Sequence, residues 1–462
     1  MRHHFTYPAL ALLALTCGCA IYHPQPLDSA AVDAALQPPK LDAVRIAAAK
    51  IEHPLVKPIV IDGRDGFSPD EIAVMVVIVS PQLRALRDQR GVADAQVLQA
   101  GILPNPQLGY TLDQLHGDAA QALVSGPLTN GNSLGLSWDV TSLLVHHDAV
   151  AAAKASGAAL DLSIAWQEWQ AAQDARLRAF RLLSLDQRLP LAREIEDDLA
   201  DNVKLTQQAL SLGQKTSMDL TAATETWTQA QNSRFALEQQ ITAERAALNL
   251  ALGQPADALL RLKPATVFPA LPTDLAAGLL QGLEKRRLDL VALTLGYKSE
   301  EATLRAAVIA QFPKIGLSIA KASDTSDVHT ISYGVTVDLP LFDRNQGQVA
   351  IGRATRQQLF DEYIARVAEA RAEVVQILAD LAVTRAQLQT VDDSLPQIEQ
   401  LTDSLTREFQ ARNADVLAYR DARGTLAARR MEQMELQQSL LELGVALEIA
   451  TGRPLLNRDP SH

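Results

Sequence analysis

The chain has 462 residues, with 54 acidic and 42 basic side chains and a formal net charge of −12. An acidic protein repels phosphate backbones, and no basic stripe offsets this charge, so nucleic acid is not the expected partner. Aromatic residues make up only 4%, and the remaining composition is typical of long helices, so we expect a mostly helical protein.

The first residues are typical of a targeting segment. Residues 9–15 form an apolar run too short to cross a bilayer as a permanent helix, so we interpret residues 1–18 as a signal peptide. The run leads into Cys17-Gly18-Cys19-Ala20, which resembles the lipobox of bacterial lipoproteins and predicts lipidation of Cys19; Ala20 favours the outer membrane. An ordinary cleaved signal that contains two cysteines is the alternative. Because no other cysteine occurs, we predict no disulfide or thiolate metal site in the mature chain.

The rest of the chain contains an internal repeat. The sequence ALNLALGQP at 247–255 recurs as ALEIATGRP at 446–454, and Gly135 to Asp139 recur as Gly334 to Asp338, both at an offset of 199 residues; earlier landmarks recur at an offset of 207. This duplication predicts the following segments: a lipid anchor and extended tether at 19–64, a first repeat at 65–255, a linker at 256–273, a second repeat at 274–454 and a C-terminal tail at 455–462.

Each repeat contains one pair of segments in which apolar residues alternate with small or polar ones. This period of two predicts β-hairpins. The strands are expected near residues 106–114 and 132–141 in the first repeat and near 313–321 and 331–341 in the second.

Strands of about this length, apolar on one face and polar on the other, are what a transmembrane β-barrel requires. Four strands cannot close a barrel, and in a bilayer an unpaired edge costs several kcal/mol per unsatisfied backbone group. Several chains must therefore contribute strands to one closed sheet. A soluble protein whose hairpins pack on its own helices is the alternative.

A long helical stretch with few breakers follows each hairpin, at residues 143–212 and 342–411. Apolar residues recur every seven positions in the second stretch, which predicts a coiled-coil seam. Each helix would reach roughly 100 Å if continuous. Pro190 and Pro396 are expected to kink or interrupt these helices.

Both long helices must turn back. In the first turn Gly213 can end the helix, and Thr216 or Ser217 can cap the next one. In the second turn, at residues 412–415, Asn413 can adopt the left-handed conformation that Gly would supply. Each repeat is therefore predicted to be a long helical hairpin below a β-hairpin.

The duplication, the turn motifs, GILPNPQL at 101–108 and DLPLFD at 338–343 together resemble the outer-membrane efflux duct family, the TolC-like proteins. The resemblance covers nearly the whole mature chain. It implies a mostly α fold with a membrane β-barrel: a homotrimer whose 12-stranded barrel stands on an α-helical coiled-coil tunnel. The LPNP segment and the residues around Pro190 are most similar to the heavy-metal branch, which serves resistance-nodulation (RND) pumps.

The resemblance also implies site residues at the tip of the tunnel. In the family the two helical turns meet a periplasmic adaptor, a membrane fusion protein, and acidic residues near the second turn narrow the pore. By position, Asp415 is the gating acid, and Ala418 stands where some members have a second acid. The implied adaptor contacts are Gly213, Gln214, Thr216, Asp219 and Asn413. Turn chemistry for these residues, and an N-cap role for Asp415, are the alternatives.

No motif predicts catalysis. The sequence has no glycine-rich phosphate loop, no His-Glu-x-x-His and no serine elbow, so we expect no enzyme activity and no cofactor. His146-His147-Asp148 is interpreted as a solvated face and not as a metal site, because adjacent helical histidines point apart.

The function that follows is the outer-membrane channel of a tripartite efflux system. It would be lipid-anchored in the cell outer membrane, with its tunnel in the periplasm. It would be a passive exit for small molecules or metal ions expelled by an inner-membrane pump of the RND class, or of the ABC or MFS class. One alternative is a periplasmic coiled-coil scaffold or adaptor, and another is a type I secretion duct for peptides or proteins.

Overall fold

The structure is a computed structural model that describes residues 20–38, 40–114, 130–263, 278–324, 328–411 and 416–456. The described residues form ten helices and four strands: α1 (Ser29–Ala35), α2 (Leu41–Ala49), α3 (Pro69–Val79), α4 (Pro81–Gly101), β1 (Gln107–Asp113), β2 (Gly131–Asp139), α5 (Ser142–Ser211), α6 (Ser217–Ala251), α7 (Leu283–Arg286), α8 (Leu288–Ile309), β3 (Lys314–Ser323), β4 (His329–Asp338), α9 (Gln346–Gln410) and α10 (Val416–Thr451).

The chain divides into two compact units, Met1–Pro39 and Lys40–His462. In the first unit, the Asp28 side chain accepts a hydrogen bond from the backbone N–H of Ala31 at 2.7 Å and so caps α1. No residue of α1 is buried. The second unit holds all the other elements.

The main core of the second unit lies around α3. This helix is apolar on nearly all sides, and such a helix must be surrounded by other elements. Its start is fixed by a capping box in which Ser68 and Glu71 each accept a backbone N–H of the other. Ile72 and Val76 pack in one cluster with Trp169 of α5 and Leu248 of α6. The helical hairpin of the first repeat is therefore anchored on α3.

The prediction of an extended tether was wrong for residues 40–62. Val44 and Ala48 lie one turn apart on α2, and both are buried in the α3 cluster together with Val56 and Ile61. Arg45 holds the end of this segment by donating from Nη2 to the Asp62 carbonyl at 2.6 Å. The segment packs on the core because its apolar residues have helical spacing, a signal that the prolines around it obscure.

The four strands form one antiparallel sheet in the order β1-β2-β3-β4. Leu108 pairs with Leu136, Leu136 with Ile319, and Ile319 with Tyr333, so the two hairpins join through β2 and β3. β4 ends at Asp338, three residues before the predicted end. Pro340 lacks an N–H for the ladder, which is consistent with the earlier end.

The two long helices, α5 and α9, have 70 and 65 residues and are continuous through Pro190 and Pro396. The prediction that the prolines could interrupt these helices is therefore wrong. A proline removes one hydrogen bond of a helix, and here a buried residue lies beside each proline: Ala192 near Pro190 in α5, and Leu395 next to Pro396 in α9. No described helix is long and apolar enough to cross a membrane.

The helices pack as two antiparallel pairs. α5 packs against α6, α9 packs against α10, and α8 lies against both long helices. The predicted seam is confirmed in α9, where Val374 and Leu381 are buried in a cluster with Leu447 of α10.

Buried charged groups join the two repeats. Glu448 is fully buried, and its Oε1 accepts the backbone N–H groups of Leu455 and Leu456 at 2.6 and 2.7 Å. Its Oε2 accepts from Arg176 Nη1 of α5 at 2.8 Å, and Arg176 Nε lies 2.8 Å from Asp70 Oδ1 of α3. The C-terminal segment, α10, α5 and α3 are thereby tied at one point.

His53 fastens the chain after α2 to α5. Its Nδ1 accepts the backbone N–H groups of Leu55 and Val56 at 3.0 and 2.9 Å, so the ring proton resides on Nε2, 3.0 Å from the Ala165 carbonyl. Burial lowers the pKa of His53 below its ordinary value of 6.5, although the Ala165 carbonyl and Glu168 oppose this and Arg87 and Arg90 add to it. The folded chain therefore favours the neutral ring.

We expect this attachment to loosen in acid. A lowered folded pKa means that the unfolded state binds the proton more readily, so the stabilisation is complete above pH 6.5 and is lost as the pH falls through the folded pKa. Protonation of Nδ1 would leave two backbone N–H groups without an acceptor, at about 1–3 kcal/mol each. The protection of residues 51–62 against hydrogen exchange, measured relative to the intrinsic rate at each pH, should fall below pH 6.5 in the native chain, whereas in His53→Gln the protection should be weaker at every pH and lack this step. An equal step in His53→Gln would contradict the assignment.

Candidate functional site: a two-faced sheet and a helical tip

The sheet presents an apolar face that no other described element covers. The register brings Leu108, Leu136, Ile319 and Tyr333 into one row across all four strands. Their exposures are 71, 44, 44 and 80%, which no sheet packed on a soluble core would have. Lys321 is the only permanently charged side chain on this face of the described strands.

The opposite face carries small and polar side chains. One row across the strands consists of Gly109, Gly135, Ala320 and Ser332, and the neighbouring row is made by Gln107, Ser137, Ser318 and Gly334. Charged residues stand at the ends of this face. The sheet can therefore separate a hydrocarbon phase from water.

Charges gather at the end of the polar face that lies nearest the helices. Lys314 and Asp338 are register partners at this end. Asp139 is exposed, and its Oδ1 accepts the backbone N–H of Thr141 at 2.9 Å where β2 passes into α5. Asp139 and Asp338 therefore stand on the face that we expect to meet water.

The sheet has two open edges within the described residues. β1 pairs only with β2 and β4 only with β3, so the outer N–H and C=O groups of both strands lack a strand partner. In water such edges invite pairing with another chain, and in a bilayer they are too costly to leave open.

The turn between α5 and α6 is built by local hydrogen bonds. Gly213 has a positive φ of 73°, and the Gln214 N–H donates to the Ala209 carbonyl at 2.9 Å, as in a Schellman motif. Thr216 and Asp219 form a capping box, with the Thr216 N–H donating to Asp219 Oδ2 at 2.8 Å. This backbone hydrogen bond, helped by the Thr216 hydroxyl, lowers the pKa of Asp219. The four predicted contact residues are thus brought together, and each has a role in the turn itself.

Two residues at this turn were missed by the sequence analysis. Leu212 and Met218 flank the turn and are 72 and 80% exposed. Apolar residues beside a glycine turn on a long helical hairpin are the signal that could have identified them, because a solvated tip does not need them.

The remaining predicted residues of the helical tip lie in the segment between α9 and α10. Asn413 and Asp415 lie outside the described residues, as does Cys19. Next to this segment, Phe409 of α9 stacks on Tyr419 of α10 with ring centroids 4.5 Å apart. Ala418 is exposed and supplies no second acid.

Ion pairs tie the second helical hairpin to the first. Arg423 Nη2 of α10 lies 2.7 Å from Glu194 Oε1 and 3.0 Å from Asp198 Oδ2 of α5. Arg420 donates from Nη1 to the backbone carbonyl of Asp198 at 3.0 Å. The relative position of the two helical hairpins therefore depends on arginines of α10.

The described residues do not assemble a metal site. Asp148 pairs with Arg305 Nε at 3.3 Å and with the exposed His147 Nδ1 at 3.7 Å. Across the described ranges, no group of three or more His, Cys, Asp or Glu side chains could hold a metal ion.

Residues 279–453 match the family described as Outer membrane efflux protein. The cobalt-zinc-cadmium resistance protein CzcC of Cupriavidus metallidurans is 30% identical over 147 residues, which is 31% of this chain and 35% of that protein. The pyoverdine export outer membrane protein OpmQ of Pseudomonas aeruginosa is 24% identical over 284 residues, 59% of each chain. The matches thus span about one third and three fifths of these relatives.

Solved structures show the same fold over more of the chain. CusC has a TM-score of 0.65 at 19% identity, covering 84% of this chain and 92% of its own. The outer membrane protein VceC of Vibrio cholerae has a TM-score of 0.65 at 18% identity, covering 84% and 96%, respectively. The outer-membrane channel OprN has a TM-score of 0.66 at 16% identity, covering 83% and 89%. The resemblance found in the sequence is therefore confirmed: residues 279–453 match the outer membrane efflux protein family, and the chain has the fold of these TolC-like outer-membrane channel structures.

Proposed function

We propose that this protein is the outer-membrane channel of a tripartite efflux system. The observation that carries the proposal is the sheet, with one exposed apolar face, one small and polar face, and two open edges. A single copy with this sheet cannot be stable in a bilayer, and copies that join edge to edge enclose the polar face. Three copies supply twelve strands, four from each chain.

The helical part supports the same proposal. α5 and α9 span 70 and 65 residues, which at 1.5 Å per residue is roughly 100 Å. Three copies of these hairpins form a tunnel that continues the polar face of the sheet into the periplasm. The chain has no nucleotide-binding motif, so we propose passive conduction, with the energy supplied by an inner-membrane pump.

The partners follow from the position of the tips. A periplasmic adaptor binds at the turns around Gly213 and Asn413, where Leu212 and Met218 offer exposed apolar contacts. An RND pump is the proposed energy source. One relative is named for cobalt, zinc and cadmium resistance and another for pyoverdine export, so the proposed cargo is the wider class of metal ions and small molecules.

Conductance of the purified protein tests the proposal. Protein extracted from outer membranes with detergent should run as a trimer and give long-lived single-channel steps in planar bilayers. Release from membranes by salt or carbonate alone, without conductance, would instead identify a periplasmic scaffold.

Asp415→Ala is expected to raise the single-channel conductance and to weaken block by divalent cations. A ring of three carboxylates in a narrow entrance repels cargo anions and attracts cations, and like charges close together favour binding of a counter-ion. Asp219→Ala, at the first turn, is the control for a general disturbance of the tip. Equal conductance and block in the native protein and Asp415→Ala would exclude Asp415 from the gate.

Cys19→Ala is expected to abolish fatty-acid labelling and to leave trimer assembly largely intact. Acyl chains add membrane affinity, but the closed sheet buries far more apolar surface. Metabolic labelling with palmitate checks the modification, and Cys17→Ala is the matched control. Labelling that persists in Cys19→Ala would place the anchor elsewhere.

A further inference from the structure

The open edges of the sheet carry enough register information to determine how one copy meets the next. Within the chain, the junction between the two repeats is the pair β2–β3, where Ser137 faces Ser318 and Asp139 faces Gly316. The duplication makes β4 the counterpart of β2, and β1 the counterpart of β3. The contact between β4 and β1 of a neighbouring copy is therefore a second instance of a junction that the structure already displays.

We infer that β4 of one copy pairs antiparallel with β1 of the next copy in the register that places Thr336 opposite Thr111 and Asp338 opposite Gly109. This inference rests on the proposed closed sheet. It follows when the β2–β3 pairs are carried over at the sequence offsets of 199 residues for β2 to β4 and 207 for β1 to β3.

The chemistry of the junction supports this register. The observed hydroxyl pair, Ser137 with Ser318, corresponds to Thr336 with Thr111 at the inferred junction. The observed pair of aspartate and glycine corresponds to Asp338 with Gly109. A two-residue slip either way loses both pairings. Cross-strand hydroxyl pairs and pairs between aliphatic or aromatic residues stabilise neighbouring strands.

The apolar face remains continuous across the junction. The inferred register sets Val335 opposite Leu112 and Val337 opposite Tyr110, and all four residues are exposed on that face. A slip by one residue would turn one strand inside out, so only slips by two are competitors.

The strand tilt that a closed barrel requires differs between the inferred register and the two registers slipped by two residues. Gln107 pairs with Ser137, Ser137 with Ser318 and Ser318 with Gly334, and the inferred register joins Gly334 to Asp113 of the next copy. The strands thus shift by six residues for each copy, which tilts them by roughly 46° in a twelve-stranded barrel, at the upper limit of the usual range of about 35–45°. The slip to eight residues would require roughly 54°, beyond the usual range. The slip to four residues gives roughly 35° and is left to the experiment.

The two hairpins of the chain themselves differ by such a slip. Leu108 faces Leu136 in the first hairpin, whereas its counterpart Ile315 faces Val337, two residues beyond the counterpart of Leu136. The neighbouring registers must therefore be tested directly and not assumed absent.

Cysteine pairs on the polar face make that test. Thr336→Cys is combined in turn with Thr111→Cys, Gly109→Cys and Asp113→Cys. The first pair reports the inferred register, the second the slip to four residues and the third the slip to eight. Directly opposite residues lie within disulfide range, whereas residues two positions away do not. The full-length protein in outer membranes is treated with a soluble oxidant and separated without reductant. The single variants, in which the native Cys19 is unchanged, control for products of that residue.

The pair with Thr111→Cys should give several-fold more of the two-chain and three-chain products than either other pair. Coexpressed Thr111→Cys and Thr336→Cys chains should give a two-chain product and nothing larger. A stronger product with Gly109→Cys or Asp113→Cys overturns the register. No product from any pair, in a preparation that conducts, overturns the edge contact and leaves the channel standing; monomers without conductance overturn both.

Discussion

Leu136→Arg is expected to prevent stable assembly in the outer membrane. Leu136 lies in the middle of β2 on the apolar face and is 44% exposed. An arginine at the centre of a lipid-facing strand costs about 2–4 kcal/mol, and a trimer would carry this cost three times. The measurement is the yield of heat-resistant trimer in purified outer membranes, which should fall to a small fraction of the native yield.

Ser137→Arg is the matched control. Ser137 is the next residue of the same strand and lies on the polar face, opposite Gln107 and Ser318. Trimer yield should stay near the native level, while the bulk and positive charge inside the sheet should lower the conductance for cations. A comparable loss of trimer in both variants would mean that the apolar face does not meet lipid.

Glu448→Ala is expected to have the largest effect among substitutions in the helical part. It leaves the buried Arg176 guanidinium with Asp70 as its remaining counter-charge, and it leaves the N–H groups of Leu455 and Leu456 without an acceptor. Removing one partner of a buried ion pair costs about 3–5 kcal/mol. The denaturant midpoint should fall strongly, and proteolysis should trim the C-terminal residues first.

Two further variants separate charge from hydrogen bonding. Glu448→Gln keeps an oxygen for the backbone N–H groups and loses the charge opposite Arg176, so its effect should be intermediate. Glu442 lies on the same helix as Glu448 and pairs with Arg181 of α5, but both side chains are about 30% exposed. Glu442→Ala should therefore lower the free energy of unfolding by about 1 kcal/mol or less. An effect of Glu448→Ala no larger than that of Glu442→Ala would contradict the role assigned to the buried carboxylate.

The sequence predicted those features that depend on local periodicity. Alternation placed all four strands, because a face that meets lipid must differ from a face that meets water at every second residue. The seam of α9 followed from its seven-residue spacing, and the first turn followed from Gly213 and Thr216.

Features that depend on distant partners could not be predicted in this way. Arg176 lies 272 residues from Glu448 in the sequence. The repeat motif gave no hint of the ion pair, because the residue equivalent to Glu448 in the first repeat is Asn249, which donates to the carbonyls of Ala256 and Ala258. The packing of α2 was hidden by neighbouring prolines, and Pro190 did not break α5, because packing outweighs one lost hydrogen bond. Leu212 and Met218 were passed over because apolar residues in a helix normally indicate a core.

The duplication has a consequence for stoichiometry at the entrance of the proposed tunnel. In the proposed trimer, the six connections between paired long helices are of two chemical kinds: one has Gly213 and the Thr216 capping box, and the other contains residues 412–415. A ligand that reads only the first kind saturates at three per assembly, whereas one that tolerates both saturates at six, with two classes of dissociation rate. Counting bound partners therefore reveals which turn is recognised.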